Sequence, residues 1–544
     1  MKSPQNTIFT LGQETDVASL FELLRRTYPA HDASETQLER HYLDSFDWRL
    51  YRNNRVCGWD MPGGNGRKKG AGVFFIRDRS THDSICEYPA SRIPRFSKDI
   101  THRACRRLLD EILGIRALMT VATIAVKSRH FNILNREKKT VAVLRAENHT
   151  LTGRVDPIFL TGRLIVSPIR GYRKIFTQVR QYIAEQLQLP VAQVSLLDEL
   201  LTAMGRVPDP GIPVYAGKFD SSLNTREAVR ILLRHLFQVM QANEPGLRDA
   251  IDTEFLHDYR VAVRRTRSLL SQIRDIFPAQ QLEYFKHELF WLGQVSGPMR
   301  DLDVYLLKFD AYRQALPEAM QKHIVPFHAF LERHWKIEHA RLCRAFDSKR
   351  YQKLIKEWRV LLDNDNASAQ RAGSQPAVSP ETANAGKPVR QIAGSRILKL
   401  YRRILREGEA ITPESHDGDL HELRKTCKKF RYLIEFFHGF YPENNVRNLL
   451  KILKQLQDML GDFQDLCVQT AQLCGFAEQM QQEGSADAKT IMAMGVLVEK
   501  LNARKAVVRT ELEHRFQTFA QPDNKAAFMN TFSLHNQPES RTVR

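Results

Sequence analysis

Residues 255–267 read FLHDYRVAVRRTR and residues 419–431 read DLHELRKTCKKFR, so one pattern occurs twice at a spacing of 164 residues. A second pair keeps the same spacing, because GPMRDLDV at 297–304 corresponds to GDFQDLCV at 461–468. Self-similarity at a fixed spacing indicates a duplicated structural unit. The apolar residues of both copies recur at three- and four-residue intervals, which is typical of helices. The sequence therefore predicts a C-terminal region of two related helical halves.

Each copy carries a histidine followed by cations three, seven and ten residues later. At about 100° per residue, these four positions span an arc of roughly 80° on a helix. The first basic stripe comprises His257, Arg260, Arg264 and Arg267, and the second basic stripe comprises His421, Arg424, Lys428 and Arg431. The apolar positions fill a neighbouring arc of about 120°. We therefore expect both stripes to lie beside the core, near the bundle interior or a groove.

Stacked cations on one helix repel each other by a few tenths of a kcal/mol per close pair. A polyanion would relieve that repulsion, and guanidinium groups bind phosphate oxygens bidentately. A histidine among cations favours its neutral form until a phosphate chain stabilises the protonated one. Two other interpretations stay open: the stripes are solvated faces, or their arginines pair with Asp301 and Asp465. We expect Arg300, Asp301 and Asp303 to form structural ion pairs or a helix cap rather than a metal site.

The chain carries 81 Lys and Arg against 62 Asp and Glu, a formal charge of +19. Divided at residue 220, the excess is +10 before and +9 after, so it does not form a basic tail. No apolar run reaches the roughly 20 residues of a membrane helix, and the first residues lack a signal-peptide pattern. The seven cysteines contain no CxxC pair. This predicts neither a zinc site nor a disulfide framework and favours a reducing cytoplasm.

The chain changes character near a segment that contains Pro208, Pro210, Gly211 and Pro213. Before it, short β-rich runs alternate with helical stretches, which predicts an α+β domain with an antiparallel sheet or barrel. After it, helical spacing is interrupted by one stretch rich in Ala, Ser, Asn, Gly and Pro, which is typical of a flexible linker. The predicted divisions are an α+β domain (1–200), a linker (201–220), a helical domain (221–520, with halves at about 221–362 and 393–520 joined by a linker at 363–392) and a loose tail (521–544).

The two basic helices, the ANEPG segment at 242–246 and the GPMRDLDV segment resemble the CHAD family, the conserved-histidine α-helical domain. The resemblance covers about residues 221–516. It implies two pseudo-symmetric four-helix bundles around a basic cavity or groove. It also implies binding of inorganic polyphosphate and association with polyphosphate granules. Besides the two stripes, the weaker binding candidates are Arg265, Lys429, Arg230, Arg234, Arg402 and Arg403.

The N-terminal part is similar, over shorter segments, to the CYTH family, the triphosphate-tunnel fold. His41–Arg52 and Pro168–Arg173 carry this resemblance. The family's Glu-x-Glu-x-Lys signature, which supplies metal-binding carboxylates and a phosphate-binding lysine, is absent, because residues 7–11 read TIFTL. Arg55–Trp59 also lacks the cations that the family would place there. Without paired carboxylates we expect no metal, no cofactor and no catalysis in this degenerate domain.

The predicted function is that of a cytoplasmic inorganic polyphosphate-binding protein, a scaffold or adaptor that associates with polyphosphate granules and their proteins. We expect no membrane association and no enzymatic activity. The same charge allows nucleic-acid binding as an alternative, although base-stacking aromatics are missing from the stripes. A third alternative is a metal-dependent triphosphatase in the N-terminal domain.

Overall fold

The structure is a computed structural model that describes residues 6–12, 15–63, 72–153, 156–208, 215, 219–220, 222–363, 382–412 and 414–533. The chain divides into two compact units, Met1–Gly211 and Ile212–Arg544. This division falls inside the predicted linker at 201–220. Residues 364–381, which make up most of the second predicted linker, lie outside the described residues, as does the last part of the predicted tail.

The N-terminal unit is built on one antiparallel sheet. Its strands are β1 (Thr7–Leu11), β2 (Ala30–Asp44), β3 (Arg55–Pro62), β4 (Gly72–Asp78), β5 (Ser84–Ala90), β6 (Met119–Leu134), β7 (Thr140–Leu151) and β8 (Ile158–Pro168). The strand order is β1-β8-β7-β6-β2-β3-β4-β5. Its helices are α1 (Val17–Thr27), α2 (Arg49–Arg52), α3 (Arg103–Leu113), α4 (Arg173–Glu185) and α5 (Leu196–Ala203). The α+β prediction with an antiparallel sheet is confirmed.

Strand β2 was not apparent from the sequence, although it lies between β3 and β6 in the sheet. Its pairing with β6 runs from Ala30 opposite Ile133 to Asp44 opposite Met119. The segment reads AHDASETQLERHYLD and has few of the β-branched residues that mark strands. Hydrogen bonding to two neighbours, rather than local propensity, therefore defines this strand.

Apolar side chains of the sheet are covered by helices on more than one side. Phe131 and Leu144 of the sheet pack with Phe21 of α1 and Val179 of α4. A separate cluster joins β4 and β5 to α3 through residues that include Leu109. These helices leave a cavity along the inner surface of the sheet, which is described below.

One covalent contact within this unit was not expected. Cys86 of β5 and Cys105 of α3 form a disulfide, with 5.7 Å between their Cα atoms. The cysteine spacing indicated no disulfide framework, so this bond was not predicted. The two cysteines lie 19 residues apart in no recognised motif, and they meet only because α3 packs on β5.

The C-terminal unit is helical, as predicted. Its helices are α6 (Thr225–Arg248), α7 (Thr253–Gln272), α8 (Ala279–Val295), α9 (Gly297–Ala315), α10 (Glu318–Gln321), α11 (Val325–Asp347), α12 (Lys349–Asp363), α13 (Val389–Glu409), α14 (Asp417–Phe437), α15 (Glu443–Gln482), α16 (Ala488–Phe519) and α17 (Pro522–Phe532). No helix in the described part of the chain is long and apolar enough to cross a membrane.

The repeat spacing of 164 residues maps one set of helices onto the other. It places α6 on α13, α7 on α14, and α11 on α16. Helices α8 and α9 together correspond to the single helix α15, which runs without interruption for 40 residues. The difference comes from Pro298, which has no backbone N–H and disfavours continuation of the preceding helix. Its counterpart in α15 is Asp462, which imposes no such break.

Two segments that were predicted to be irregular are structured. The predicted tail begins with α17, and its Phe528 and Phe532 are 0% and 1% exposed. The end of the predicted 363–392 linker is also fixed, because the Lys387 carbonyl accepts a hydrogen bond from the Thr225 N–H at 2.9 Å, and α13 begins at Val389. Two phenylalanines in a polar segment are too weak a pattern to predict a helix. Burial against the preceding helices stabilises it instead.

Candidate functional site

The two basic stripes lie on equivalent helices, α7 and α14, whose apolar faces are in the core. Six equivalent core residues illustrate this burial, and each is at most 2% exposed: Leu256, Val263 and Leu270 on α7, and Leu420, Cys427 and Ile434 on α14. Within the stripes Arg264 is exposed, and the other seven residues are half-buried. The stripes therefore border the core, as the helical spacing predicted.

A cavity of about 510 Å³, which we call the inter-stripe cavity, is lined by residues of both α7 and α14. Its six cationic lining residues are Arg264, Arg267, Lys286, Lys425, Lys428 and Lys429. The other lining residues are Ser268, Ser271 and Tyr432. No carboxylate occurs among the described residues that line it. All its charged groups are donors, so the cavity suits a multiply charged anion.

A second cavity, of about 280 Å³, continues along α7 toward the start of α9. It shares Arg264 and Arg267 with the inter-stripe cavity and adds Arg260. Phe290 of α8 forms part of the wall, and the Arg267 guanidinium lies 5.0 Å from the centre of its ring. The lining of the two cavities thus forms a continuous row of arginines along the first basic stripe.

Burial and mutual repulsion disfavour the charged forms of the cations in this region. Burial, followed by the charges of Arg264 and Arg424, lowers the pKa of Lys428 to about 7. Burial, followed by the charge of Arg264, lowers the pKa of Arg260 to about 10. The pKa of Arg424 is lowered by burial, and Arg264 adds to this effect. The charge of Arg264 lowers the pKa of Arg260 in the first stripe and of Lys428 and Arg424 in the second, so Arg264 is close enough to act on both stripes.

Arg265 was a weaker candidate for binding, and it does not face the cavities. Its side chain is 4% exposed and contacts Glu435 of the other half at 2.8 Å. The guanidinium also lies 5.1 Å from the ring centre of Tyr432 and 5.0 Å from that of Phe436. On a helix it points about 100° away from Arg264. Arg265 therefore joins the two halves rather than lining the cavities.

Arg260 and Arg424 occupy equivalent positions with different partners. The Arg260 Nη1 donates to the Gly293 carbonyl at 2.9 Å and to Ser296 Oγ at 2.7 Å, at the end of α8. The helix does not end at the equivalent place in α15, and Arg424 instead lies 3.5 Å from Asp465. Arg424 therefore does contact the aspartate of its own repeat, Asp465, but the contact is long.

The two stripe histidines are both half-buried. His421 Nδ1 lies 2.6 Å from the amide oxygen of Gln464. An amide oxygen only accepts, so the His421 Nδ1–H is the donor in this contact.

The remaining predicted residues lie in different surroundings. Arg431 contacts Glu435 at 2.5 Å, which balances its charge, whereas Lys429 lines the inter-stripe cavity. On α6, Arg234 donates to the Leu362 carbonyl at the end of α12. The four secondary candidates on α6 and α13 are not among the described residues that line the two cavities. They are Arg230, Arg234, Arg402 and Arg403.

Two lining cations were missed from the sequence. Lys425 follows the second histidine by four residues, about 40° beyond it on the helix, and a wider arc would have included it. Lys286 lies on α8, where nothing in the local pattern marks it. Only the packing of α8 beside α7 brings Lys286 to the cavity.

The acidic residues at the start of α9 have structural partners, as expected. Asp303 is 0% exposed, accepts a hydrogen bond from Trp335 Nε1 at 2.7 Å and lies 3.9 Å from Arg300. Burial raises its pKa to about 7. Asp301 accepts from Gln472 Nε2 at 3.0 Å, which links α9 to α15.

The N-terminal unit has a smaller cavity, of about 180 Å³, on the inner side of its sheet. The β1 residue that lines it is Ile8, where the CYTH resemblance would require a carboxylate. Glu147, also in the lining, lies 2.8 Å from Arg145 and 3.7 Å from Arg40. Burial acts to raise the pKa of Glu147, but these two cations outweigh it and hold the pKa well below its usual range. Its carboxylate is thus engaged by cations, and the lining also contains the carboxylate of Glu87 on β5.

Comparison with known proteins finds a family match in the helical region. The CHAD domain family model matches residues 231–474, a range that includes both α7 and α14. A solved CHAD domain from the plant Ricinus communis is 23% identical, with a TM-score of 0.45, and covers 56% of this chain and 95% of that chain. A putative adenylyl cyclase from Hippeastrum, described as having a dominant triphosphatase activity, is 13% identical, with a TM-score of 0.27, and covers 37% of this chain and 96% of that chain.

A curated relative is an uncharacterized protein of Mycobacterium tuberculosis strain H37Rv. It is 26% identical over 224 residues, which are 40% of this chain. The match spans 39% of the length of that relative.

Proposed function

Because the CHAD domain family model matches residues 231–474, we propose that this protein binds inorganic polyphosphate between its two basic stripes. The inter-stripe cavity carries the proposal. It joins cations from α7, α8 and α14 without a carboxylate among its described lining residues. Lys286 and Lys425 each pair with a carboxylate one helical turn away, Glu283 at 2.8 Å and Glu422 at 2.7 Å. A chain of phosphates would supply acceptors to the whole cationic lining.

The energetic argument follows from burial and repulsion. Lys428, Arg260, Arg267 and Arg424 all have lowered pKa values because burial disfavours their charged forms. A bound polyanion offsets this desolvation with charge-assisted hydrogen bonds, each worth about 1.5–3 kcal/mol. The site is therefore expected to gain more from a polyanion than an ordinary solvated basic face would.

We extend the proposal to cellular role: the protein is a polyphosphate-granule scaffold or adaptor and not an enzyme. Its CHAD domain would hold the polymer while the N-terminal unit remains available for other contacts. The engaged carboxylate of Glu147 and the apolar Ile8 support the absence of triphosphatase chemistry. Phosphate release from triphosphate by the full-length chain with Mg²⁺ or Mn²⁺ would contradict this part of the proposal.

The direct test is binding of long-chain polyphosphate to the full-length protein during a salt titration. The Arg264→Glu/Lys428→Glu double variant reverses one cation of each stripe. Its affinity should fall at least about 100-fold, the equivalent of two lost charge-assisted contacts. The Lys308→Glu/Lys336→Glu variant changes exposed lysines on α9 and α11. It lowers the net charge by the same amount and should bind like the wild type.

Equal losses in the two double variants would show that net charge alone drives binding. Unchanged binding in the Arg264→Glu/Lys428→Glu variant would reject the site. Competition at matched ionic strength separates polyphosphate from nucleic acid, and a preference for single-stranded RNA or duplex DNA would overturn the proposal. In cells, the stripe variant should lose co-localisation with polyphosphate granules while the control variant retains it.

A further inference from the structure

The N-terminal unit contains a cluster of metal-ligating side chains that the proposed function does not use. Cys86, His102 and Cys105 each offer one ligand atom, and these three atoms lie within 4.8 Å of one another. Cys86 belongs to β5, and the other two residues lie at the start of α3. The spacing His-x-x-Cys places the imidazole and one thiol at the same helix end. We propose that, once the Cys86–Cys105 disulfide is reduced, these three residues bind Zn²⁺.

The imidazole is already oriented toward the sulfurs. His102 Nδ1 lies 3.9 Å from Cys86 Sγ and accepts the Cys105 backbone N–H at 3.4 Å. The Tyr88 ring stacks on the imidazole at 5.7 Å with an interplanar angle of 13°. Tyr88 and Cys86 are two residues apart on β5 and therefore face the same side of the strand. Stacking thus holds the His102 ring with Nδ1 beside the thiols. Because Nδ1 has one lone pair, binding of Zn²⁺ replaces its long hydrogen bond from the Cys105 N–H.

The donor set selects the metal. Two thiolates and one imidazole suit Zn²⁺, whereas Mg²⁺ and Ca²⁺ require oxygen ligands. Cys86 and Cys105 are 7% and 0% exposed, but His102 is exposed, so the cluster opens to solvent on one side. That side provides an entry path and a position for water as the fourth ligand.

The disulfide and the metal are mutually exclusive. A dithiol reductant passes two electrons and two protons to the disulfide and becomes a disulfide itself. The freed sulfurs then separate to ligand distances of about 2.3 Å from Zn²⁺, and each thiol releases its proton as the metal binds. The geometry therefore describes a site that reduction opens and oxidation closes.

The experiment uses the full-length chain, reduced anaerobically and then freed of reductant. Titration with Zn²⁺ against a chromophoric chelator should give one tightly bound ion for each reduced chain and none for the oxidised chain. Co²⁺ in place of Zn²⁺ should show a sulfur-to-metal charge-transfer band. The Cys86→Ser and Cys105→Ser variants should lose the ion and the band. The Cys474→Ser variant removes an exposed free cysteine and should keep both.

Folding defects are controlled by a conservative change at the histidine. His102→Asn retains an N-cap acceptor for α3 but removes the imidazole. Its Zn²⁺ affinity should fall at least about tenfold. Even changes to residues that surround the ligands of a zinc site lower the affinity by about that much, and His102 is itself a proposed ligand. Zinc binding by the oxidised chain, binding unaffected by Cys86→Ser, or no binding by the reduced wild type would each overturn the proposal.

Discussion

Replacement of Lys428 by arginine should remove much of the pH dependence of polyphosphate binding. Lys428 is half-buried on α14, and burial together with Arg264 and Arg424 lowers its pKa to about 7. A neighbouring polyphosphate chain would favour the ammonium form and raise that pKa again. Binding would therefore be accompanied by proton uptake, so affinity should increase as the pH falls.

The size of the effect follows from the shifted value. With a pKa of about 7, Lys428 is about 90% charged at pH 6 and about 10% charged at pH 8. If the complex holds the lysine charged throughout, affinity should fall about tenfold between pH 6 and pH 8, or about 1.4 kcal/mol. Arginine stays charged over this range, and Lys428→Arg should therefore lack this contribution.

The assay measures the dissociation constant of a defined-length polyphosphate at pH 6, 7 and 8 and at constant ionic strength. Both proteins are measured with the same polymer under the same conditions, so the difference between wild type and Lys428→Arg reports the contribution of the lysine. Isothermal titration in two buffers of different ionisation enthalpy should show extra proton uptake by the wild type at pH 8. Parallel pH profiles for the two proteins would refute the reasoning.

Three further predictions concern stability. Arg265→Ala should lower the free energy of unfolding in urea by about 2 kcal/mol. This is less than the loss for a fully uncompensated buried charge, because Glu435 still pairs with Arg431. Polyphosphate affinity should change little, and a large affinity loss at unchanged stability would contradict the structural role. Asp303→Asn should raise the thermal midpoint more at pH 8 than at pH 5. A carboxyl whose folded pKa is raised to about 7 makes the native state lose stability as pH rises from about 4 to 7, so the loss is partial at pH 5 and complete at pH 8. Equal midpoints of wild type and variant at pH 8 would refute this. Gly246→Ala should destabilise the protein by about 1–3 kcal/mol, because the added methyl group would overlap the ring of Phe255 on α7. Gly495→Ala on α16 places its methyl group in open space and should stabilise the protein by up to about 1 kcal/mol. Effects of the same sign would show that local packing does not decide the outcome.

The parts of the site that lie on one helix were predictable. Helical geometry relates His257, Arg260, Arg264 and Arg267 without knowledge of any other element, since each residue turns the helix by a nearly constant angle. The duplication then predicted the second stripe and the correspondence of the two halves. One candidate on the same helix was nevertheless wrong. Arg265 follows Arg264 in sequence, but its side chain contacts Glu435 of the other half of the domain.

Contributions from separate elements were not predictable from local patterns. Lys286 reaches the inter-stripe cavity through the packing of α8. Cys86 and Cys105 meet through the packing of α3 on β5. Phe528 and Phe532 turn an apparently polar tail into a buried helix. In each case the informative contact joins segments whose own sequences carry no trace of it.

The amino-acid sequence by itself determined the duplication, the helical class of the C-terminal unit and the two basic stripes, because periodicity along one chain segment is a local property of backbone geometry. The tertiary structure decided which cations share a cavity, which are neutralised by carboxylates and which cysteines pair. Those outcomes depend on distances between elements far apart in sequence, where burial and Coulomb interactions act through space rather than along the chain.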